Sequence, residues 1–514
     1  YIFAIIGFII LLTAGLNYIN LSTALISKRV KEIGVKKVVG ASFQSLFYQM
    51  LTETFLLSII AFVAGLGIVQ LMLPSLRTFV DIPLTLDFTK PTIWLVLVGV
   101  IALSIAIAGI YPALMTANFK PIQLIRGNEK AEKGVTLRKI LVVTQFTSVI
   151  IVLISTFVIY QQLQYIQYKD VGYDRSQVML IRPHLFRTGD WRQNFDNYVV
   201  YKEELSKLPQ FTSVAMTDNP ISNINNRNSG GFQWEGQAAD QSVNVAQFRV
   251  NQDLQDLFGL EMEQGRWFDA ELQTDRNNVI LNETAIKQFG IKEPVIGTKT
   301  TFQQREGTII GVVKDFNYSS LREKIEPLVI WHNDGRGTNI LARVEGENIN
   351  EAIQVAEAKF NEILPGLQFE YQFIDEAFQK MHTADIKMSQ LFKVFTGILV
   401  FISCLGLLGL AVFAADRRVK EIGVRKVLGA SIGNIVSLLS KDFLKLVLVS
   451  FVIAVPVGWY FMKEWLNNFA YSSPLYWWIF ALAGFLAISI AFLTVSTQSI
   501  KAAVANPVQS LRND

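Results

Sequence analysis

The sequence predicts an α-helical polytopic membrane protein made of two repeated units, with an α+β domain inserted on its outer side. Three observations predict it. Seven apolar stretches are each long enough to cross a hydrocarbon core of ~30 Å, which takes about 20 helical residues. A phrase of fourteen residues is written twice, once after the first stretch and once after the fifth. A polar stretch over about 161–387 separates the fourth apolar stretch from the fifth and alternates strand-like with helix-like patterns.

The seven stretches cover approximately 1–26, 48–73, 92–117, 139–160, 391–415, 443–465 and 476–495. Of the 514 residues, 51% are hydrophobic and only 18% charged, which suits a chain solvated largely by lipid. The net charge of +4 is too small for a nucleic-acid footprint, so the position of the basic residues matters more than their sum. They gather in alternate loops. Lys28, Arg29, Lys31, Lys36 and Lys37 flank one; Lys120, Arg126, Lys130, Lys133, Arg138 and Lys139 fill the next; Arg417, Arg418, Lys420, Arg425 and Lys426 mark a third; Lys501 and Arg512 mark the tail. Basic residues are retained on the cytoplasmic side, so all four face inward. The segments 74–91 and 467–475 are poor in them and face outward. Trp459, Tyr460, Trp465, Tyr471, Trp477 and Trp478 form an interfacial aromatic belt around the latter.

The same parity puts 161–387 outside. "SQVMLI", "GTIIGVV", "NILARV" and "LQFEYQFI" read as strands, and "NYVVYKEELSKL" and "NINEAIQVAEAKFNEIL" as helices, which predicts βαβ-like units. The run "NPISNINNRNSGGFQWEGQAADQ", rich in Asn, Gly and Ser, reads as loops or an inserted subdomain.

"RVKEIGVKKVVGAS" begins at Arg29 and "RVKEIGVRKVLGAS" at Arg418, with only Lys36 to Arg425 and Val39 to Leu428 changed. Gly34 falls on Gly423 and Gly40 on Gly429, and Glu53 in the following span meets Asp442. "NFKPIQLIRG" returns as "VANPVQSLRN", pairing Pro121 with Pro507 and Arg126 with Arg512. The chain therefore holds two copies of one unit: span, basic hairpin, span, outer loop, span, basic tail.

On a helix of 100° per residue, Lys28, Arg29, Glu32 and Lys36 share one side, while Val30, Ile33, Gly34 and Val38 share the other, with misfits at Lys31, Val35 and Lys37. Glu32 with Lys36, and Glu421 with Arg425, are i,i+4 pairs in the favourable order. Gly40 and Gly429 supply left-handed C-caps, and Ser42 and Ser431 cap the next helices, so "GAS" is a tight helix-to-helix turn. Orientation alone requires charge but fixes neither Glu32, Gly34 and Gly40 nor their spacing. Their repetition predicts a shaped inner surface that a cytoplasmic partner grips.

With its second copy, this phrase resembles the cytoplasmic loop of FtsX-like, MacB-type ABC transporter permeases. "YPALMTANFKPIQLIRG" resembles the stretch that closes each unit, although Thr497 and Gln498 stand where the first copy has Tyr111 and Pro112. "GTIIGVVKDFNYSSLREKIEPLVI" is similar to the periplasmic core domain of the same family. The resemblance implies a permease unit over 1–127, a helix with the periplasmic core domain over 138–387, and a second permease unit over 388–514. It also implies one further span and a first periplasmic domain ahead of Tyr1.

The resemblance further implies a multi-pass protein of the bacterial cytoplasmic (inner) membrane whose loops dock on an ABC ATP-binding subunit, two copies of it. Arg29, Glu32, Gly34, Lys36, Lys37 and Gly40, with Arg418, Glu421, Gly423, Arg425, Lys426 and Gly429, would carry the docking. A membrane-fusion adaptor and an outer-membrane channel are further partners in prospect; nucleic acid is not. The work expected is export of an amphiphile such as an antibiotic, peptide or lipoprotein. The alternative is a non-transporting transmitter that activates a periplasmic hydrolase or sensor kinase.

No enzymatic constellation occurs in these 514 residues. There is no G-x-x-x-x-G-K-[ST], so ATP handling falls to a partner, and there is no G-x-S-x-G, H-E-x-x-H or C-x-x-C. No cofactor or metal site is expected: His184, His332 and His382 are not at ligand spacing, and the single Cys404 lies in an apolar span as a packing residue. Asp315, or Glu370 with Asp375, are carboxylates of a solvated face. A membrane-anchored enzyme with a catalytic outer domain is therefore disfavoured. The polar residues to weigh in the spans are Asn17, Asn20, Glu53, Asp442 and Lys445; Glu53 and Asp442, near the cytoplasmic ends, point to helix-helix or loop contacts rather than a substrate path. Gly65 and Gly67 are expected to serve close packing, and Pro456 to kink its helix.

Overall fold

The computed structural model describes residues 2–80, 85–118, 129–183, 185, 191–224, 227–229, 231–238, 240–332, 337–346 and 348–504. The chain divides into a helical unit (Tyr1–Gln162, Ile386–Trp465 and Pro474–Asp514) and a sheet unit (Leu163–Asp385 with Leu466–Ser473). Seven helices among the described residues are long and apolar enough to cross a membrane, in the places the apolar stretches predict.

The helical unit opens with α1 (Ile2–Val38), α2 (Phe43–Val80), α3 (Pro91–Ala117) and α4 (Glu129–Tyr168). α1, α2 and α4 outrun their apolar stretches, and α1 runs unbroken into the first basic phrase. Pro91 starts α3 at a position where a missing N–H costs nothing. α3 packs along both α1 and α2, which touch each other little. Ile33, Leu46 and Ala117 close the inner end of this trio. A side chain at Gly65 or Gly67 would meet nothing within 4 Å, so the expectation that they serve close packing within the chain is corrected: both sit on an open helix face.

In chain order the sheet unit then runs β1 (Val178–Ile181), α5 (Trp191–Leu205), β2 (Phe211–Thr217), β3 (Arg227–Ser229), β4 (Phe232–Trp234), β5 (Asn244–Val250), α6 (Leu254–Phe258), β6 (Met262–Gly265), β7 (Val279–Asn282), α7 (Glu283–Phe289), β8 (Lys299–Phe302), β9 (Arg305–Val313), β10 (Leu328–His332), β11 (Asn339–Val344), α8 (Ile349–Ile363), β12 (Tyr371–Phe373) and α9 (Ile374–Met381). The sheet order is β12-β1-β11-β2-β5-β10-β7-β9-β8-β4, with β3 on β5 and β6 on β9. Its first four strands are antiparallel, in register from Val178↔Arg343 to Ile181↔Ile340. With α5 and α8 they make a split β-α-β-β-α-β unit, interrupted between its second and third strands by everything from β3 to β10. A single pairing, Thr217↔Val250, joins β2 to β5.

Each half of the sheet has its own core. In the first, Tyr198 and Tyr201 are fully buried and find partners for their hydroxyls: Tyr198 Oη donates to the Ile181 carbonyl (2.7 Å) and accepts from Ile340 N–H (2.9 Å), and Tyr201 Oη donates to the Ala356 carbonyl (3.0 Å). In the second, Trp234 stacks on Phe289 at 5.1 Å within a cluster that includes Phe232 and Phe302. The Asn/Gly-rich run, expected as loops or an inserted subdomain, contains two strands, β3 and β4; the buried alternation of Phe232 and Trp234 drives the latter.

The carboxylates of Asp315 and Asp375 are committed to structure. Asp315 accepts from Asn282 Nδ2 (2.9 Å), Thr284 N–H (3.0 Å) and Thr284 Oγ1 (2.7 Å). Asp375 pairs with Arg175 at 3.5 Å; burial raises its pKa, and Asp174 and Glu376 add to the rise. The Glu370 carbonyl accepts from Arg182 N–H at 3.0 Å. His332 and His382 lie apart, His184 is outside the described residues, and no metal-ligand cluster occurs among the described residues. Segment 466–473, expected as a short outward loop, belongs to this unit: Ala470 N–H donates to the Arg322 carbonyl (3.1 Å), and the Arg322 guanidinium sits 4.6 Å from the Phe469 ring centre.

The chain closes with α10 (Thr383–Arg417), α11 (Val419–Val427), α12 (Ile432–Leu466) and α13 (Trp477–Val504). Pro456 lies inside α12, which continues through it and does not end there. Interhelical polar contacts hold the helical unit where lipid offers no hydrophobic drive. Thr156 and Thr396 share a hydrogen bond (2.6 Å), Gln145 Nε2 donates to the Ser403 carbonyl (3.3 Å), and Asn17 Nδ2 donates to the Ile402 carbonyl (2.5 Å). Asn17 also touches Gly406, where any side chain would collide with it. Asn17 and Gly406 are the same position of the two copies. The two copies thus meet at equivalent positions of α1 and α10.

Candidate docking surface

Both copies of the fourteen-residue phrase fold alike at their turn. The helix carrying the first ends in Gly40 at φ 100°, with Gly40 N–H donating to the Lys37 carbonyl (3.1 Å) and Ala41 N–H to the Lys36 carbonyl (2.9 Å). In the second, Gly429 has φ 88°, its N–H donates to the Lys426 carbonyl (3.1 Å), and Ala430 N–H donates to the Arg425 carbonyl (2.9 Å). This is a Schellman cap, written twice, and its left-handed residue calls for glycine. Ser42 Oγ then accepts from Ser45 N–H (3.1 Å) and Ser431 Oγ from Asn434 N–H (3.3 Å), starting α2 and α12.

The charges of the two copies also match. Lys36 pairs with Glu32 and Arg425 with Glu421, each at 2.9 Å. Arg29 reaches Glu53 on α2 (3.2 Å), and Arg418 reaches Asp442 on α12 (3.0 Å), so the acidic residues of the spans brace the basic phrase against the next helix. Lys37 is half-buried, and its ammonium donates to the Ala117 carbonyl (2.6 Å), capping the C-terminus of α3. Lys426 is likewise half-buried, and Gly34 and Gly423 are buried. The sequence-predicted residues of each copy are thus brought together on one hairpin, where the Arg29–Glu53 and Arg418–Asp442 pairs, Lys37 and the glycine caps tie it to its neighbours.

Beside these charges the hairpins present apolar side chains. Val35, Val38 and Val39 are 64%, 77% and 82% exposed, and their counterparts Val424, Val427 and Leu428 are 50%, 68% and 80% exposed. Phe43 and Ile432 extend both rows, at equivalent positions. The helical wheel placed Val38 on the buried side with Ile33 and Gly34; Ile33 is buried, whereas Val38 is not. Val35, a misfit on that wheel, was the signal for a second apolar face. Lys28, Val30, Lys31 and Lys420 lie on described backbone, but their side chains are outside the described residues, as are the closing stretches around Pro121, Arg126, Pro507 and Arg512.

Both copies and the domain between them match known families. The FtsX-like permease C-terminal family matches residues 4–121 and 393–507, once per copy, and the MacB-like periplasmic core domain matches 147–356. The chain belongs to the FtsX-like permeases. A relative of this permease, the macrolide export ATP-binding/permease protein MacB of Neisseria meningitidis, is 23% identical over 286 residues, 52% of this chain and 43% of the relative. MacB of Aggregatibacter actinomycetemcomitans is 26% identical over 230 residues, 41% of this chain and 34% of that one. The permease thus matches less than half the length of these relatives. Among solved structures, the periplasmic region of MacB from Actinobacillus actinomycetemcomitans aligns over 42% of this chain and 97% of its own, with 17% identity and a TM-score of 0.31. The extracellular domain of the ABC-type transporter YknZ from Gram-positive bacteria aligns over 38% and 98%, with 12% identity and a TM-score of 0.28.

Proposed function

We propose that this permease is the membrane-spanning part of a bacterial ABC transporter in the cytoplasmic membrane, and that the two apolar rows are where an ATP-binding partner docks, one copy per row. The observation that carries the reading is the matched exposure of Val35, Val38 and Val39 with Val424, Val427 and Leu428. Hydrophobic side chains left out of a lipid-facing span, at the level of a basic loop, and repeated position for position are the surface an interface needs. The Schellman caps and the Arg29–Glu53 and Arg418–Asp442 pairs hold each row on its spans, so a push on the row moves helix rather than loop. The family assignment and the export named for the MacB relatives support amphiphile export across the membrane or out of the periplasm as the work done.

The test replaces Cys404 with serine and places single cysteines at Val38 and Val427. Both positions should react with a membrane-impermeant thiol reagent only from the cytosolic face, and should cross-link to a co-expressed ATP-binding subunit. Labelling from the outer face, or cross-links that form elsewhere but not here, would overturn the reading. Reconstituted vesicles loaded with a labelled amphiphile distinguish export from signalling: ATP-driven loss of label supports the former.

A further inference from the structure

We infer that the first permease unit, and not the second, carries a binding chamber for a zwitterionic phospholipid whose head bears a primary ammonium. The chamber is a cavity of about 250 Å³ in the groove between α1 and α2, floored by Pro112 and Thr116 of α3. It exists because α3 packs on both neighbours while they stand apart. At its outer end Tyr18 Oη and Thr54 Oγ1 share a hydrogen bond at 3.3 Å, and at its inner end the Arg29–Glu53 pair spans the gap.

Arg29, Glu32, Ile33 and Lys36 are spaced i, i+3, i+4 and i+7, so one face of α1 turns toward the chamber, with Val38 on the opposite face. Among the described residues, the charged ring at the mouth holds two cations, Arg29 and Lys36, and two carboxylates, Glu32 and Glu53. A ring of no net charge has no preference for a net anion; it complements a head carrying both signs. The guanidinium and ammonium face the phosphate, and the carboxylates face the head's own ammonium. Leu21, Leu25 and Leu57, each nearly half exposed, lead from the ring toward the lipid and suit the acyl chains. Arg29 and Glu53 are themselves about half exposed, so parting them to admit the head costs no more than about 1 kcal/mol.

The second copy shows which parts are specific. It keeps the ring as Arg418, Glu421, Arg425 and Asp442, but Tyr18, Ser22, Gln49 and Thr54 become Leu407, Ala411, Leu438 and Phe443, and Thr116 becomes Ala502. The ring belongs to the shared architecture. The polar wall is private to the first unit, and its oxygens are acceptors for a head that donates hydrogen bonds, which a quaternary choline head does not.

The experiment uses the full chain purified in a neutral detergent and examined by native mass spectrometry against dioleoyl phosphatidylethanolamine, phosphatidylcholine and phosphatidylglycerol. One phosphatidylethanolamine should be retained at least tenfold more tightly than either of the others. Ser22→Ala with Gln49→Leu, residues the second copy already tolerates, should remove that retention while the melting temperature stays unchanged. Glu32→Gln with Glu53→Gln should abolish the preference over phosphatidylglycerol. Equal retention of all three lipids, a preference for phosphatidylglycerol, or retention indifferent to the wall substitutions would each overturn the assignment.

Discussion

Truncating the tips of both apolar rows, Val39→Ala with Leu428→Ala, separates a docking surface from a structural one. The two side chains are 82% and 80% exposed, so their loss removes almost no intramolecular packing and should change the stability of the isolated permease by less than about 0.5 kcal/mol. If a partner covers them, the loss is two carbons at Val39 and three at Leu428, at about 0.8 kcal/mol each on full burial. Interfaces rarely cover a side chain completely; half of that sum is about 2 kcal/mol, roughly 30-fold in Kd. Removing Lys36 and Arg425 instead forfeits two exposed i,i+4 pairs worth about 0.3–0.5 kcal/mol each, a few-fold at most. The assay is a binding titration of the ATP-binding subunit on permease reconstituted in nanodiscs at fixed ionic strength, with a thermal melt of the permease alone beside it. A Kd changed by less than threefold in the alanine pair, with a larger loss in the charge variants, would refute docking through the apolar rows.

Three further outcomes follow from local geometry. Gly429→Val places a β-branched residue at φ 88° and should cost at least about 1–2 kcal/mol, seen as a lower melting temperature, whereas Gly429→Asn should cost less because asparagine tolerates that conformation. Asn282 caps α7, accepting from Ala285 N–H (3.0 Å) and Leu328 N–H (2.9 Å) and donating to Asp315 and the Glu326 carbonyl; Asn282→Ala orphans those groups and should cost about 3 kcal/mol in a denaturant titration that follows the sheet unit. For Asp275, burial pushes the carboxyl pKa up, but hydrogen bonds from Arg266 (2.5 and 2.8 Å), Asp269 N–H (3.0 Å) and Asn278 Nδ2 (3.0 Å) outweigh it and hold the group below the ordinary carboxylate range. A depressed pKa contributes stability above the unfolded value, near 4, that is lost as pH falls through the folded one. Arg266→Ala should therefore destabilise by about 2 kcal/mol at pH 7, less than a fully buried pair because the guanidinium is half exposed, and the gap to wild type should shrink toward pH 3.

Features fixed by local chemistry were legible in the sequence. The spans could be read because length and apolarity decide them. The turns could be read because a left-handed cap selects Gly40 and Gly429, and the helices around Tyr198 and Ala356 because their apolar periodicity is long. What escaped depends on contacts between distant segments. The interleaving of β1 and β2 with β11 and β12 across an insertion of some hundred residues leaves no local mark. The wheel for the basic phrase, drawn without α3 beside it, could not tell that Lys37 would turn inward to the Ala117 carbonyl while Val38 turned out. Glu53 and Asp442 read as making helix-helix or loop contacts, but only the fold names Arg29 and Arg418 as their partners.

The two copies share their handle but not its mounting. α1 continues from Ile2 to Val38, so the first apolar row sits on the same unbroken helix as the span below it. In the second copy the helix stops at Arg417 and restarts at Val419; Arg418 has φ −104° and ψ 12°, and its N–H donates to the Ala415 carbonyl three residues back (3.0 Å). A break in the i→i−4 ladder is a point where a helix bends. Equal displacement of the two rows would therefore turn α1 as a body but be partly absorbed at Arg418 before reaching α10. The Asn17–Gly406 crossing, where the two first spans meet at equivalent positions, would then be driven from one side more than the other. If the two rows are docking handles, as proposed, the helix break makes the stroke delivered through them unequal.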